Sequence, residues 1–262
     1  MKFIGKYFKE VVLIGLILSV FGVWIAVYAR TPSKSLRVYF LDVGQGDAIF
    51  IETPSKKQVL IDGGKNKKIL SLLGRYMPFG DRSIDIVIGT HPDLDHVGGL
   101  IPVRERYKIG LELDQITARR GQVIDFGDGS KLIILFPNQD VSNWETNDGS
   151  VVAKLEYSNS SFLFTGDATI KTENILINLN KGVLDSDVLK AGHHGSRTST
   201  SLDFAESVSP EYAIISAGLN NSYGHPHQEA LNILEKVAAK VLSTAELGTI
   251  KFQTDGEKLE IK

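Results

Sequence analysis

The chain has 262 residues, of which 42% are hydrophobic and none is cysteine. This length and composition suit a folded α/β protein with a buried core, and they exclude a disordered or fibrous chain, disulfides, thiolate metal ligands and a cysteine nucleophile. Four basic residues and one acidic residue lie among the first thirty, which gives this segment a charge of +3. Since the whole chain has a net charge of −2, the remaining 232 residues carry −5, and this excludes a broadly basic nucleic-acid-binding face.

The N-terminus combines positive charge with an apolar run. Lys2, Lys6 and Lys9 precede residues 11–28, eighteen residues without a charge, and such a run is long enough to span a bilayer as a helix. The positive flank predicts a cytoplasmic N-terminus and a remainder outside the cell membrane. A signal peptide, whose cleavage would secrete the domain, competes with an uncleaved anchor, and a buried core helix is the third interpretation. The expected organisation is an anchor or signal at 1–29, a linker at 30–35 and a folded domain at 36–262.

Beyond residue 35, short β-branched runs alternate with glycine, aspartate and proline. The pattern predicts an antiparallel meander at 36–43, 48–53 and 58–61. The remaining elements are expected in this order: a helix at 67–76, a strand at 85–89, a helix at 96–107, strands at 111–117, 131–136, 151–157 and 162–165, a helix at 172–180, strands at 187–190 and 212–216, a helix at 228–240 and a closing hairpin at 241–261. Strands and helices that mix without a linker indicate one layered α/β domain.

All six histidines fall in three pairs, and each pair follows a predicted strand. Ligands of one site at the carboxyl ends of strands would group in this way, whereas scattered structural histidines would not. The pairs are His91 and His96, His193 and His194, and His225 and His227.

The first pair lies in a run of six residues, HPDLDH, that contains four potential metal ligands. They are His91, Asp93, Asp95 and His96. Four ligands are more than a closed site for one metal usually takes from a single loop, so the run predicts two metal ions. Asp95 alone has another explanation, as the N-cap of the following helix.

With these residues the sequence resembles the metallo-β-lactamase superfamily and, within it, the exported metallo-hydrolase domain of the ComEC competence proteins. The resemblance covers residues 36–262 and depends on seven short motifs in order. They are FLDVGQGDA at 40–48, IDGG at 61–64, HPDLDH at 91–96, NDGS at 147–150, FTGD at 164–167, KAGHHGSRTSTS at 190–201 and YGHPH at 223–227. The resemblance implies a four-layer αββα sandwich with a dinuclear metal site at one edge.

The resemblance also implies a role for each candidate ligand. The metal ligands would be His91 and Asp93 for the first ion, Asp95 and His96 for the second, Asp167 bridging both, and one of His193 and His194 completing the second site. His194 is preferred because the following Gly195–Ser196 turn can direct its side chain toward the metals. Asp62 would orient the ligand loop through hydrogen bonds without contacting metal.

Two positions depart from the usual pattern of the superfamily. Asp93 stands where most members have a second histidine, and no histidine lies between His96 and His193. Either the first metal is bound more weakly, or Asn147 or Asp148 replaces the imidazole. Oxygen donors in place of imidazole shift the preference from zinc toward manganese or magnesium. The expected cofactors are two divalent metal ions, with manganese and zinc first and magnesium as a further candidate.

Further candidates follow the predicted ligands along the chain. Besides Asp95, the predicted catalytic residues are His225 and His227, which flank Pro226 and would protonate a leaving group or contact a phosphoryl oxygen. A simple helix start is the alternative explanation for this pair. The loop at 196–201, with Ser196 and Arg197, suits either a phosphate-binding nest or a plain solvated loop. Tyr223 is a candidate for contact with substrate.

Together these features predict an exported metal-dependent hydrolase, a phosphodiesterase or nuclease that acts on single-stranded DNA in a ComEC-like DNA-uptake setting. Its expected partners are the phosphodiester, the membrane through the N-terminal helix, and a separate membrane channel protein, because this sequence carries no counterpart of the channel-forming domain of ComEC. Another ester, a thioester or a lactam would suit the same site. A binding module that has lost the reaction is the non-enzymatic alternative, and the sequence leaves the oligomeric state open.

Overall fold

The computed structural model describes residues 7–30, with the side chains of 7–24, and residues 33–262. The chain divides into two compact units, Met1–Ser33 and Lys34–Lys262, and the division falls within the predicted linker. The first unit contains helix α1, Phe8–Arg30. Among the described residues, no helix is both long enough and apolar enough to cross a membrane. The membrane-spanning helix predicted at 11–28 is therefore not found there, and the location outside the membrane stays a prediction.

The second unit contains two seven-stranded sheets and seven helices among the residues described. The strands are β1 Leu36–Phe40, β2 Ile49–Glu52, β3 Gln58–Ile61, β4 Ser83–Ile88, β5 Lys108–Leu113, β6 Val123–Asp125, β7 Ser130–Phe136, β8 Val152–Tyr157, β9 Ser160–Phe164, β10 Val188–Lys190, β11 Tyr212–Ile215, β12 Lys240–Ser243, β13 Ile250–Thr254 and β14 Leu259–Ile261. The helices are α2 Lys68–Tyr76, α3 Leu94–Val97, α4 Leu100–Arg106, α5 Ile170–Leu179, α6 Leu202–Val208, α7 Gln228–Lys236 and α8 Thr244–Leu247, and short 3-10 helices cover Asn147–Gly149 and Gly192–Gly195.

Both sheets mix antiparallel and parallel pairs. The first has the order β14-β13-β1-β2-β3-β4-β5, and its antiparallel β1–β2–β3 part is the meander that the sequence predicted. The second has the order β12-β11-β10-β9-β8-β7-β6, in which β9 to β12 run parallel. Because the carboxyl ends of parallel strands meet at one edge, the loops after β3, β4, β9 and β10 can supply one site.

The core lies between the two sheets. Inward side chains of both, such as Phe40 and Phe252 from the first and Phe162 and Phe164 from the second, form one buried cluster. Two further clusters fix helices on the outer faces, α2 and α4 on the first sheet and α5, α6 and α7 on the second. The layers therefore follow the order helix, sheet, sheet, helix, and the predicted αββα sandwich is confirmed.

Two predicted elements differ from the structure. The single helix expected at 96–107 is divided into α3 and α4 at Gly98–Gly99, where a Cβ atom on Gly98 would lie 2.5 Å from the carbonyl oxygen of Lys65. The hairpin expected at 241–261 is wrong for its first strand, because β12 pairs in parallel with β11 across helix α7 in the other sheet. Helix α8 and Gly248, with φ +71°, then return the chain to the first sheet.

Candidate metal centre

The candidate site lies where β3, β4, β9 and β10 end. Asp62 follows β3, the run His91–His96 follows β4, Asp167 follows β9, and His193 and His194 follow β10. Short loops leave each side chain close to its strand, so the rigid sheets fix the positions of the ligands. The strand-end argument thus predicted the meeting of the His91–His96 and His193–His194 segments, and the family resemblance implied the places of Asp62 and Asp167.

Asp167 is the centre of this cluster. Its Oδ1 lies 3.3 Å from Nε2 of His96, and its Oδ2 lies 3.3 Å from Nε2 of His194. The Nε2 atoms of His91 and His193 lie 3.9 and 3.8 Å from the same Oδ2. One buried carboxylate thus faces four imidazoles, which is the arrangement expected of a residue that bridges two metal ions.

The two aspartates of the HPDLDH run approach different histidines. Oδ2 of Asp93 is 3.8 Å from Nε2 of His91, whereas Oδ2 of Asp95 is 3.5 Å from Nε2 of His194. The extended backbone of Asp93, with φ −65° and ψ 142°, leads into helix α3, which turns Asp95 away from Asp93. This separation matches the division into two ligand sets that the family resemblance implied.

Both histidines of the third motif reach the cluster. The sequence argument expected only one of them to face it, but His193 and His194 both have left-handed backbones, with φ +46° and +55°, and both lie within 4 Å of Asp167. His194 is buried, whereas a quarter of the His193 side chain is exposed. Two consecutive non-glycine residues in this conformation indicate strain that the surrounding packing must maintain.

Asp62 has the orienting position that the sequence predicted. Its Oδ1 accepts a hydrogen bond from the backbone N–H of Thr90 at 2.8 Å, and its Oδ2 accepts from the Thr90 hydroxyl at 2.7 Å and from Nδ1 of His96 at 2.8 Å. The buried carboxylate therefore fixes both the start of the ligand loop and one imidazole ring.

The donor geometry fits a cation. Nδ1 of His96 donates to Asp62, and Nδ1 of His194 donates to the carbonyl oxygen of Ser216 at 2.8 Å, so both Nε2 atoms point inward, 3.3 Å apart. Once the Nε2 protons are released, two imidazole lone pairs and a carboxylate converge on one point, which suits a bound cation. In the described part of the chain, Oδ1 of Asp167 and Nε2 of His91 also have no hydrogen-bond partner. These are the atoms that a bound metal would satisfy.

Asp47 belongs to the same cluster, and the sequence analysis gave it no role. Asp47, His96, Asp167 and His194 offer ligand atoms within 4.8 Å of one another. However, Asp47 approaches the histidines at Nδ1, 3.8 Å from His96 and 3.5 Å from His194. Because Nδ1 and Nε2 lie on opposite edges of the ring, we place Asp47 behind the imidazoles. Its position directly before β2, in the 40–48 motif, was the only sign of it in the sequence.

Lys190 is the second residue that the sequence analysis missed. It is completely buried at the end of β10, where its Nζ forms an ion pair with Asp47 and donates to the carbonyl oxygen of Gly166 at 2.8 Å. Its Nζ also lies 3.5 Å from Oδ1 of Asp167. Burial opposes its charge, but the two carboxylates more than offset this and raise the pKa of Lys190. The lysine therefore stays cationic and connects the two aspartates.

The same carboxylates act on the histidines. Burial disfavours the charged form of His194, but Asp167 and Asp47 outweigh it and raise its pKa to about 9. Asp167 and Asp62 raise the pKa of buried His96 in the same way. For Asp167, burial is outweighed by His194 and His96, which lower its pKa well below the usual range.

This charge arrangement predicts that the metal-free protein loses stability at alkaline pH. A histidine whose pKa is about 9 in the folded state, against an ordinary value of 6.5, stabilises the fold fully below pH 6.5 and loses that contribution as the pH rises through 9. For His194 the loss is roughly 3 kcal/mol. Urea unfolding in EDTA at pH 6.5 and at pH 9.5 measures it, with His194→Gln as the comparison. Equal free energies of unfolding for the wild type at the two pH values would contradict the assignment.

Asn147 and Asp148, the candidates for the missing third histidine, separate in the structure. The side-chain amide of Asn147 lies 3.4 Å from Nε2 of His193, at the edge of the cluster. Asp148 instead accepts hydrogen bonds from Thr169 and from Lys171, the latter at 2.8 Å. A carboxylate held by a lysine in this way is already neutralised, so Asn147 is the residue of the two that lies near the predicted ligands.

Of the last histidine pair, as of Asn147 and Asp148, only one residue lies near the predicted ligands. The His225 ring lies 5.5 Å from the His193 ring and 6.1 Å from the His194 ring. Burial and the neighbouring histidines lower the pKa of His225 to about 4, so its imidazole is neutral at pH 7. His227 instead precedes helix α7, and its Nδ1 accepts from the backbone N–H of Arg197 at 3.2 Å. The structure thus brings His225 to the cluster and gives His227 the helix-start position that was the alternative explanation.

In the loop at 196–201, for which a phosphate nest and a plain solvated loop were the two interpretations, polar groups already hydrogen-bond to one another and to neighbouring side chains. The Ser196 hydroxyl hydrogen-bonds that of Thr198 at 3.0 Å, and the exposed guanidinium of Arg197 lies 3.9 Å from Glu229. Glu173 accepts the backbone N–H groups of Thr200 and Ser201. Because a carboxylate already occupies these N–H groups, an anion gains little there.

The comparisons with known proteins agree with this geometry. Residues 41–218 match the model of the metallo-beta-lactamase superfamily. The chain is 30% identical to ComE operon protein 3 of Bacillus subtilis (strain 168), over 84% of this chain and 33% of that protein. It is also 30% identical to Recombination protein 2 of Haemophilus influenzae (strain ATCC 51907 / DSM 11121 / KW20 / Rd), over 95% of this chain and 32% of that protein. The chain therefore spans about a third of the length of these curated relatives.

Among solved structures, the CmlA beta-hydroxylase E377D mutant shares the fold with a TM-score of 0.54 at 11% identity, over 84% of this chain and 54% of that one. This likeness concerns the fold alone. The resemblance to competence proteins is confirmed by the sequence matches, and the buried histidine and aspartate cluster lies within the matched segment. By its fold, its matched residues and this cluster, the chain belongs to the metallo-beta-lactamase superfamily.

Proposed function

We propose that this protein is a metal-dependent phosphodiesterase that cleaves single-stranded DNA. The observation that carries the proposal is the position of Asp167, which faces four imidazole Nε2 atoms while Asp93 approaches His91 and Asp95 approaches His194. This donor set combines four imidazoles with three carboxylates and suits manganese, zinc or magnesium. The similarity to competence proteins supports a role in DNA uptake, with a membrane channel protein as partner.

Some residues of the cluster would bind metal, and others would orient the metal ligands. Two divalent cations, when bound, would supply the positive charge that activates water and stabilises phosphoryl oxygens. The ligands would be His91, Asp93, Asp95, His96, Asp167, His193 and His194. Asp62 and Asp47 hold the imidazole rings from behind, so that Nε2 stays directed at the site.

His225 has properties that suit contact with the substrate. Its Nδ1 is buried without a hydrogen-bond partner among the described residues, and the ring lies beside both His193 and His194. With a pKa of about 4 it is a neutral imidazole, which is a poor general acid at pH 7 but a good hydrogen-bonding group. We therefore assign it to a phosphoryl oxygen and not to protonation of the leaving group.

The proposal predicts a definite substrate preference. The purified chain should hydrolyse bis-nitrophenyl phosphate and single-stranded DNA with manganese present, and should act poorly on the lactam nitrocefin. The physical reason is that two divalent cations stabilise a phosphodiester transition state, with its charge on non-bridging oxygens, better than they stabilise a neutral carbonyl. Initial rates with manganese, magnesium and zinc measure the preference.

Two results would defeat the proposal in different ways. Efficient lactam, ester or thioester turnover without phosphodiesterase activity under any of the three metals would assign the site to another hydrolase reaction. Absence of both turnover and metal binding would assign the chain to the non-enzymatic binding modules. Metal content after dialysis against each ion distinguishes a hydrolase from a non-enzymatic binding module, because a hydrolase retains metal whether its substrate is a phosphodiester or another ester, a thioester or a lactam.

A further inference from the structure

We propose that the pocket beside Asp95, formed by Lys65, Tyr223 and Asn221, binds the nucleotide next to the scissile phosphate. The pocket has a volume of about 420 Å³, and Gln45, Leu94 and Ser222 complete its lining. This inference depends on the proposed phosphodiesterase activity for its orientation, since Asp95 is one of the predicted metal ligands.

The pocket opens directly from the metal centre. The Asp95 carboxylate forms part of its wall and lies 3.5 Å from Nε2 of His194. Tyr223 stacks on His225, with ring centroids 5.6 Å apart and ring planes inclined by 21°, and His225 in turn neighbours His194. A row of aromatic rings therefore leads from the metal centre to the pocket.

Tyr223 offers a stacking surface. Its side chain is 63% exposed although it packs against His225 on one side. A single aromatic ring that is held from one side and open on the other is the platform on which proteins stack nucleic-acid bases. An exposed tyrosine without a fixed position would be less suitable, because its ordering on binding would cost conformational entropy.

The loop that carries Tyr223 is already ordered by Asn221. The Asn221 side chain donates to the carbonyl oxygen of Gly218 at 3.0 Å and to that of His225, and its Oδ1 accepts from the backbone N–H groups of Tyr223 and His225 at 3.1 and 3.0 Å. Gln45 secures the start of the loop by accepting from the Gly218 N–H at 3.1 Å. The tyrosine is thus presented in a fixed position.

Lys65 supplies the charge for a phosphate. It is exposed, and no ion pair found among the described residues involves it. Its backbone is fixed against the turn between α3 and α4, where a Cβ atom on Gly98 would come within 2.5 Å of its carbonyl oxygen. Lys67, also exposed, lies two residues further along the same loop. A local cationic site therefore exists on a chain whose folded part is acidic overall.

The charge of Lys65 and the open ring of Tyr223 together indicate a nucleotide more specifically than either residue does alone. A lysine beside a metal centre would suit any phosphodiester polymer, including one without bases. The fixed, open tyrosine ring adds a surface that gains energy only from a planar group, and stacking on such a ring tolerates every base. We therefore expect binding that depends on the presence of bases but not on their sequence.

The test compares two short labelled strands of equal length, an oligothymidylate and an abasic deoxyribose-phosphate chain. Fluorescence anisotropy with the full chain in EDTA and at low salt measures binding without cleavage. Tyr223→Ala should weaken oligothymidylate binding about tenfold and leave the abasic strand nearly unchanged, while Tyr223→Phe keeps the wild-type affinity. Lys65→Gln should weaken both strands and reduce the salt dependence by about one unit of slope, whereas the exposed Lys181→Gln is the matched control without effect.

The outcomes separate the subsite from the proposed reaction. A wild type that hydrolyses bis-nitrophenyl phosphate but binds neither strand, or binds both with no dependence on Tyr223, overturns the subsite and leaves the phosphodiesterase. A wild type that shows the Tyr223 dependence but hydrolyses no phosphodiester keeps the subsite and removes the reaction. Circular dichroism of each variant shows whether the fold is retained, which the exposure of Tyr223 and Lys65 leads us to expect.

Discussion

Asp167→Asn should lower kcat/KM for bis-nitrophenyl phosphate by about three orders of magnitude or more while the protein stays folded. Asp167 is the carboxylate that four imidazoles approach, and its Oδ1 has no hydrogen-bond partner among the described residues. The amide has nearly the same shape but carries no charge and is a weak metal ligand. The variant should therefore lose both the bridge between the two ions and the negative charge that balances them.

Three measurements decide the result for Asp167→Asn. Initial rates with manganese give kcat/KM, elemental analysis gives the bound metal per chain, and thermal unfolding shows that the fold persists. Asp185→Asn, which changes an exposed aspartate in the loop before β10, is the matched control and should behave as the wild type. Turnover near the wild-type rate with a full complement of metal would remove Asp167 from the mechanism.

Lys190→Met should destabilise the metal-free protein by about 3–5 kcal/mol, because it leaves the buried carboxylate of Asp47 without its ion-pair partner. Lys190 is fully buried, and its Nζ contacts Asp47 and the carbonyl oxygen of Gly166. Methionine fills a similar volume, so lost charge and hydrogen bonding account for most of the effect. Urea unfolding in EDTA measures the change in the free energy of unfolding.

A double-mutant cycle tests whether the pair is the cause. The double variant Asp47→Leu, Lys190→Met should be less destabilised than the sum of the single variants, with a coupling of at least about 1 kcal/mol. Lys154→Met is the matched control, because Lys154 is also buried in the second sheet and donates to Val183, but its partner Glu156 is partly exposed. Additive single effects, or a Lys190→Met protein as stable as the wild type, would show that the pair is not a unit.

The positions of the ligands along the chain could be predicted from the sequence because they depend on local rules. A ligand at the carboxyl end of a strand is visible as a polar side chain within a few residues of an apolar run, and His91, Asp167 and His194 all have this pattern. The order of the motifs then identified the family, which the comparisons confirm. The alternation of strands and helices predicted one layered α/β domain, and the resemblance to the family implied its αββα order.

Three features were decided by the tertiary structure alone. Lys190 ends β10 of the second sheet and Asp47 lies in the loop before β2 of the first, so their ion pair exists only because the two sheets pack face to face. Both His193 and His194 reach Asp167 because of left-handed backbones that no residue preference predicts. The pocket of Lys65 and Tyr223 joins two distant loops. A sequence pattern shows which face of its own helix or strand a residue occupies. The three contacts above depend instead on how separate helices, strands and loops pack together, and packing across the whole core determines that arrangement.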